Sequence, residues 1–201
     1  MPKEPLDARR RILDASIALV AEQGVRAVSF REVARRAGVS HQTPYHHFGD
    51  HVGILREVAR EGFVSLADAM QSAADRAGDD PYKALHEAGV AYVKFARTNV
   101  GHFRVMFQGP LIVSEEQPPL EEGERTFETL VRLVTAAHKA GAGRGLSVEA
   151  ISRLAWSTVH GLSLLLIEQC FRMKDIKVDD AAITRQVVGA LSHLFDDRAR
   201  R

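Results

Sequence analysis

Residues 29–48 read SFREVARRAGVSHQTPYHHF, and the fold turns on how this stretch is parsed. Ser29 to Glu32 has the S-x-x-E form of a capping box, in which the serine oxygen takes one free backbone N–H and the glutamate reaches back for another. Phe30, Val33, Ala34 and Ala37 follow as an i, i+3, i+4, i+7 apolar stripe that stops at Gly38. A helix this short needs neighbours to be stable. After Val39, Ser40 is a good N-cap for a second short helix over about 41–47. Pro44 then falls in the first turn or just past it, where a missing N–H costs little. Two short helices around a glycine turn predict a helix-turn-helix.

The flanks agree. Ile12, Ser16, Leu19, Val20 and Gln23 share one face of a helix over 6–23 that Gly24 ends. Asp50 caps a long helix from 51 to about 77, whose apolar side holds Ile54, Leu55, Val58, Phe63, Leu66 and Met70. Helical spacing continues over about 82–98, 100–107, 125–140, 147–173 and 179–198, with residues 108–124 read as a loop. The chain is therefore expected to be all-α, with a three-helix DNA-binding domain at 1–52, its recognition helix at about 40–47, and a larger helical domain at 53–201.

Composition narrows the function. The chain has 201 residues, of which 45% are hydrophobic and 26% charged, enough for one good core or for a small and a larger domain. A net charge of +1 does not announce nucleic acid, so a basic footprint must come from local placement. Cys170 stands alone, which excludes an internal disulfide framework or CxxC motif and fits a reducing compartment. The N-terminus lacks the apolar run of a secretory signal, and the charge-free run Leu154–Ile167 is shorter than the ~20 residues of a spanning helix. A cytoplasmic protein without a membrane partner is expected.

The side chains of 40–47 suit the DNA major groove. Ser40, His41, Gln42 and Thr43 stand at the end of the helix that reaches base edges; Gln42 can pair with adenine N6 and N7, and Thr43 can pack its methyl on thymine. Tyr45, His46 and His47 can bond phosphate oxygens, which fixes register without reading sequence. Ser29, Arg31 and His51 complete the expected DNA-facing set. Arg9, Arg10 and Arg11 read either as a solvated start of the first helix or, in a helix-turn-helix placed this way, as an approach to the DNA backbone, and the second is the expectation. A metal site at His41, His46, His47 and His51 is disfavoured, since no acid or cysteine completes a ligand set at suitable spacing.

Residues 11–58 resemble the DNA-binding domain of TetR-family transcriptional regulators. The resemblance rests on Leu19-x-x-x-x-Gly24, Ser29-x-x-x-Val33-Ala34, Ala37-Gly-Val-Ser40 and Tyr45-His-His47-Phe48, in order and at the family's separations. Trp156 followed by His160-Gly161 resembles the C-terminal signature of one TetR subgroup, in which a proline often precedes the recognition-helix tyrosine, as Pro44 does here. The family usually carries a small residue or proline at the position of Gln42, and a phosphate-binding lysine at that of His51. An imidazole there holds phosphate better when protonated, so DNA affinity is expected to rise as pH drops from about 8 to 6.

The resemblance implies a homodimer built from helices at about 147–173 and 179–198, a double-stranded palindromic operator, and a small-molecule effector that releases the DNA. It implies a repressor sooner than an activator. Leu154, Leu162, Leu165 and Leu166, with Ile183, Val187, Leu191 and Leu194, are the expected dimer stripes. Phe103, Met106, Phe107, Phe127, Trp156 and His160 are the candidate effector-pocket residues. No cofactor is expected, and no enzyme: His86-Glu87 begins like H-E-x-x-H but residue 90 is Val, and no G-x-S-x-G occurs. The rival reading is a helical scaffold or small-molecule carrier, which leaves the polar 40–47 segment without a purpose.

Overall fold

The computed structural model describes residues 5–113, 118–172 and 179–195. Every regular element among them is helical: α1 (Pro5–Gln23), a 3-10 turn (Val25–Ala27), α2 (Phe30–Ala37), α3 (Thr43–Phe48), α4 (His51–Arg76), α5 (Pro81–Thr98), α6 (Val100–Met106), α7 (Gly109–Ile112), α8 (Glu121–Lys139), α9 (Val148–Ile167) and α10 (Asp180–Phe195). The all-α expectation is met. The expected ends at 173 and 198 lie outside the described residues.

Packing separates two compact units, one of residues up to Val64 with Asn99–Gly123, the other of Ser65–Thr98 with Glu124 onward. The packing boundary within α4 thus falls at Val64, beyond the residue 52 at which the sequence suggests a division by function.

In the first unit the apolar stripes of α1 (Ile12, Leu13, Leu19, Val20) and α2 (Phe30, Val33, Ala34, Ala37) are buried together with Ile54, Leu55 and Val58. α6 packs on α1. A Cβ at Gly101 would lie 2.3 Å from the Ile17 carbonyl oxygen, so only glycine permits this approach. Arg104 fastens the same contact by donating to the carbonyl of Ala21 at 3.1 Å. The segment expected as a loop contains α7, and Arg56 anchors that region by donating to the carbonyls of Ile112 (2.5 Å) and Pro118 (2.9 Å). Such a long-range anchor has no local signature. Phe48, at the end of α3, is half-buried.

In the second unit α9 packs on α5 and α10. Gly89 of α5 allows close approach, its missing Cβ lying 3.1 Å from Val188 and 3.6 Å from Val159. Val134, Ala137, Ala142, Ile151, Ala155 and Leu191 form a core cluster. Ser147 caps α9 by accepting from the Ala150 N–H at 3.2 Å, and Arg97 ties α5 to the start of α10 through Asp180. With 20 residues, α9 is long and apolar enough to cross a membrane by length and composition alone, longer than its charge-free run suggests. Its Ile151, Ala155, Val159, Leu162 and Leu166 are nonetheless buried inside this unit.

That burial corrects the expected dimer stripe. Leu162, Leu166 and Leu191 serve the core, whereas Leu154 and Leu165 face outward with Leu164. The side chain of Leu194 lies outside the described residues. A heptad count shows which positions recur on a helix, not which of two apolar faces the same chain already covers.

Candidate nucleic-acid interface

The turn between α2 and α3 is built from local chemistry. Ser29 accepts from the Glu32 N–H at 3.3 Å, so the serine half of the capping box is present. The Glu32 carboxylate, however, holds Arg35 at 2.6 and 2.9 Å and Arg36 at 2.9 Å. Arg35 first and Arg36 second keep this carboxyl down at about 2. At the other end Gly38 takes φ +63°, a left-handed cap that lets Val39 N–H reach the Ala34 carbonyl at 3.1 Å.

α3 begins later than the sequence suggests. Gln42, not Ser40, occupies the cap position, and no side chain bonds the first turn. The Ser40 hydroxyl meets the Thr43 hydroxyl at 2.7 Å instead, while the Thr43 N–H donates to the Ser40 carbonyl at 3.1 Å. Pro44 explains the difference: a helix capped at Ser40 needs the residue 44 N–H for its first bond, to the Ser40 carbonyl, and proline has none. Pro44 itself is buried, as a first-turn proline that packs rather than bonds.

The polar set surrounds this short helix. Ser29, Arg31, Ser40, His41, Gln42, Tyr45, His46 and His51 are exposed, and Thr43 and His47 are half-exposed. Tyr45 is fixed without being hidden: its ring meets Phe30 edge-on with centroids 4.2 Å apart, yet 47% of the residue remains exposed. The His41 ring lies nearly parallel to it at 6.4 Å. Bonding groups for phosphates and base edges are thus carried by a helix whose seat is apolar.

The arginines at the start of α1 do not behave as a loose basic arm. Arg9 pairs with Glu57 at 2.9 Å and lies over the Phe48 ring, its Cζ 5.3 Å from the centroid. Arg10 bonds Asp14 (2.6 Å) and Glu61 (2.9 Å). Arg11 donates to the carbonyls of Ala37 (2.8 Å) and Gly38 (3.3 Å). These guanidiniums are engaged within their own unit, so any approach to the DNA backbone is made by side chains that already have protein partners. Sequence shows a basic run but not the carboxylates and carbonyls that fold against it.

The six candidate effector residues divide between the units. In the first, Phe103 and Met106 are buried and Phe107 is half-buried, with centroids of Phe107 5.2 Å from Phe103 and 5.6 Å from Phe63. In the second, Phe127 and Trp156 are exposed with centroids 5.7 Å apart, and His160 is half-buried. Trp156 Nε1–H donates to the Tyr92 hydroxyl at 3.3 Å, and that hydroxyl lies 2.9 Å from His160 Nδ1. An indole N–H only donates, so the tyrosine oxygen accepts it, and the same oxygen shares a second hydrogen bond with the imidazole. Burial pushes the Tyr92 phenol up and the His160 imidazole down, which keeps this trio uncharged. Tyr92 and Phe63 were not among the expected residues. The stripe Ala88, Tyr92, Phe95 and Ala96 marks Tyr92 as inward-facing, though not as a partner of α9.

Comparison with known proteins gives two family models. That described as "Bacterial regulatory proteins, tetR family" matches residues 12–58, and "Tetracyclin repressor-like, C-terminal domain" matches residues 85–190. The HTH-type transcriptional regulator AqdR of Rhodococcus erythropolis is 30% identical over 163 residues, covering 77% of this chain and 71% of that protein. The HTH-type transcriptional repressor KstR of Mycolicibacterium smegmatis is 38% identical over 80 residues, 40% of this chain and 39% of that protein. A solved structure of a protein of unknown function from Rhodococcus sp. RHA1 superposes with a TM-score of 0.77 at 27% identity, covering 94% of this chain and 95% of that one.

Proposed function

This chain belongs to the TetR family and is a DNA-binding transcriptional regulator; from that premise we propose that it is a repressor that grips a palindromic operator as a homodimer and lets go when a small molecule binds its C-terminal domain. The single observation that carries this reading is α3 with the turn before it, a short helix on an apolar seat that together with that turn exposes His41, Gln42, Tyr45 and His46. Gln42 and Thr43 read base edges, and Ser29, Arg31, Ser40, Tyr45, His46, His47 and His51 hold phosphates. Residues 1–52 are the DNA-binding domain in this division of labour, and 53–201 the effector and dimer domain. The chain acts in the cytoplasm and catalyses no reaction.

The proposed dimer joins α9 and α10 of two copies. Leu154, Leu164 and Leu165 are each more than 40% exposed, while Gly161 of α9 and Gly189 of α10 have open space where a Cβ would stand. Apolar side chains beside bare backbone let helices of a second copy pack closely. Two reading helices then meet successive major grooves ~34–36 Å apart. Of the six candidates, Phe127, Trp156 and His160 share one unit and are the proposed effector contacts, and the Trp156 and His160 pair supports the Trp…His-Gly subgroup. Effector action follows from linkage: a molecule that prefers the conformation with wrongly spaced reading helices lowers DNA affinity.

The test is a salt-dependent titration of the purified full chain against duplexes from the region upstream of its own gene, with and without pooled small metabolites. Saturable, palindrome-specific binding that a metabolite pool weakens is the expected result. Sequence-indifferent binding to every duplex, unmoved by every pool, counts against it. The same titration at about pH 6 and 8 tests the contact expected of His51.

A further inference from the structure

We propose that Arg9 and Arg11 are positioning residues of the reading head, setting the pose of α3 without touching DNA. This rests on the assignment of α3 as the reading helix. Arg11 leaves the first turns of α1 and places one nitrogen against two successive carbonyls, Ala37 O at 2.8 Å and Gly38 O at 3.3 Å. These belong to the last residue of α2 and to its left-handed cap, the point at which the chain changes direction toward α3. The carbonyls of a helix C-terminus have no partner in their own helix and carry its negative dipole end, so a guanidinium there both bonds and neutralises them.

Arg9 grips the far end of α3. Its guanidinium lies over Phe48, the last residue of that helix, and pairs with Glu57 of α4. The two arginines therefore hold the start of the turn that leads into α3 and the last residue of α3, both reaching from α1. The helix between has no side-chain cap, and in the turn before it the Ser40 hydroxyl bonds that of Thr43. A helix of six residues takes its orientation from the apolar seat under Pro44 and Tyr45 and from what holds its approach and its end. Base reading depends on that orientation more steeply than phosphate attraction does, because bidentate pairing is directional and Coulomb attraction is not.

Phosphate contact and positioning predict different salt behaviour. The full chain and its Arg9→Gln and Arg11→Gln variants would be titrated, from about 50 to 200 mM potassium chloride, against a duplex selected by the wild-type protein from a random pool and against a shuffled duplex. Positioning predicts that affinity for the selected duplex falls about tenfold, that for the shuffled duplex holds, and the salt slope on the shuffled duplex is unchanged. Equal loss on both duplexes overturns the proposal. With a slope reduced by about one it means a direct phosphate contact, and with an unchanged slope it means a loss of folded protein. Arg9 is 40% exposed at its side chain, so Arg9→Gln remains informative if Arg11→Gln fails to fold. Gln42→Ala in the same series separates the two readings. If it leaves sequence preference intact, the reading-helix assignment fails; if it relaxes preference while both arginine variants retain it in full, positioning alone fails.

Discussion

The Tyr92 hydroxyl of α5 lies 2.9 Å from Nδ1 of His160 on α9, within hydrogen-bond reach, while accepting the indole N–H of Trp156. Tyr92→Phe removes the shared oxygen and both bonds. The expected cost is about 1–2 kcal/mol of folding stability, read as a lower urea midpoint at unchanged slope. An unchanged midpoint would show that solvent replaces the hydroxyl at no cost.

Acid should loosen the protein before its carboxylates protonate. Burial holds both His160 and His102 below the ordinary imidazole value of 6.5, against the pull of Glu61 in the case of His102. A depressed folded-state value means that the unfolded chain takes the proton first as pH falls. Their contribution is therefore complete above about 6.5 and lost as pH falls through the folded values. Glu57, held at about 2 chiefly by Arg60 and further by Arg9, titrates at lower pH. Urea midpoints at about pH 7.5 and 5.5 should differ, and His102→Gln and His160→Gln should each shrink the difference.

Gly101→Ala puts a methyl 2.3 Å from the Ile17 backbone oxygen, where no side chain can rotate away. Separating α6 from α1 to make room should cost about 1–3 kcal/mol, visible in thermal or urea unfolding. Gly161→Ala, which meets open space, is the matched control and should not destabilise the monomeric fold.

Loss of Gln42 should remove one bidentate base contact, worth about 1–3 kcal/mol, and relax preference at a single operator position. Tyr45→Phe keeps the edge contact with Phe30 but loses the exposed hydroxyl, and should weaken all duplexes about alike. A selection experiment on each variant separates the two outcomes.

Leu165→Asp and Leu162→Asp lie three residues apart and should fail differently. Leu165 is 43% exposed and Leu162 4%. Charge at 165 should yield a folded monomer by analytical ultracentrifugation, whereas charge at 162 buries an unpaired carboxylate and should unfold the chain.

What the sequence makes legible here is local. Ser29, the Phe30 to Ala37 stripe and Gly38 specify α2 within a few residues, and each is found in its expected role. The start of α3 was misread because a serine before a helix suggests a cap, and only the missing N–H of Pro44 argues otherwise. Arg9 and Arg11 find partners at sequence distances that no periodicity encodes. The leucines of α9 needed the packing of α5 and α10 before their two faces could be told apart. In the interface, the identities of the exposed residues were readable, but the apolar seat under Tyr45 was not.

The carboxylates folded against the reading head bear on how it finds its site. Arg9, Arg10, Arg35, Arg36 and Arg60 face Glu57, Glu61, Asp14, Glu32 and Glu22 at 2.6–2.9 Å. Such matching leaves a weak far field, so encounter lacks strong electrostatic steering and residence on random duplex is short. The search then proceeds by brief three-dimensional visits rather than long one-dimensional slides. Lengthening the flanking DNA should accelerate capture little, and a large excess of genomic DNA should sequester little of the protein.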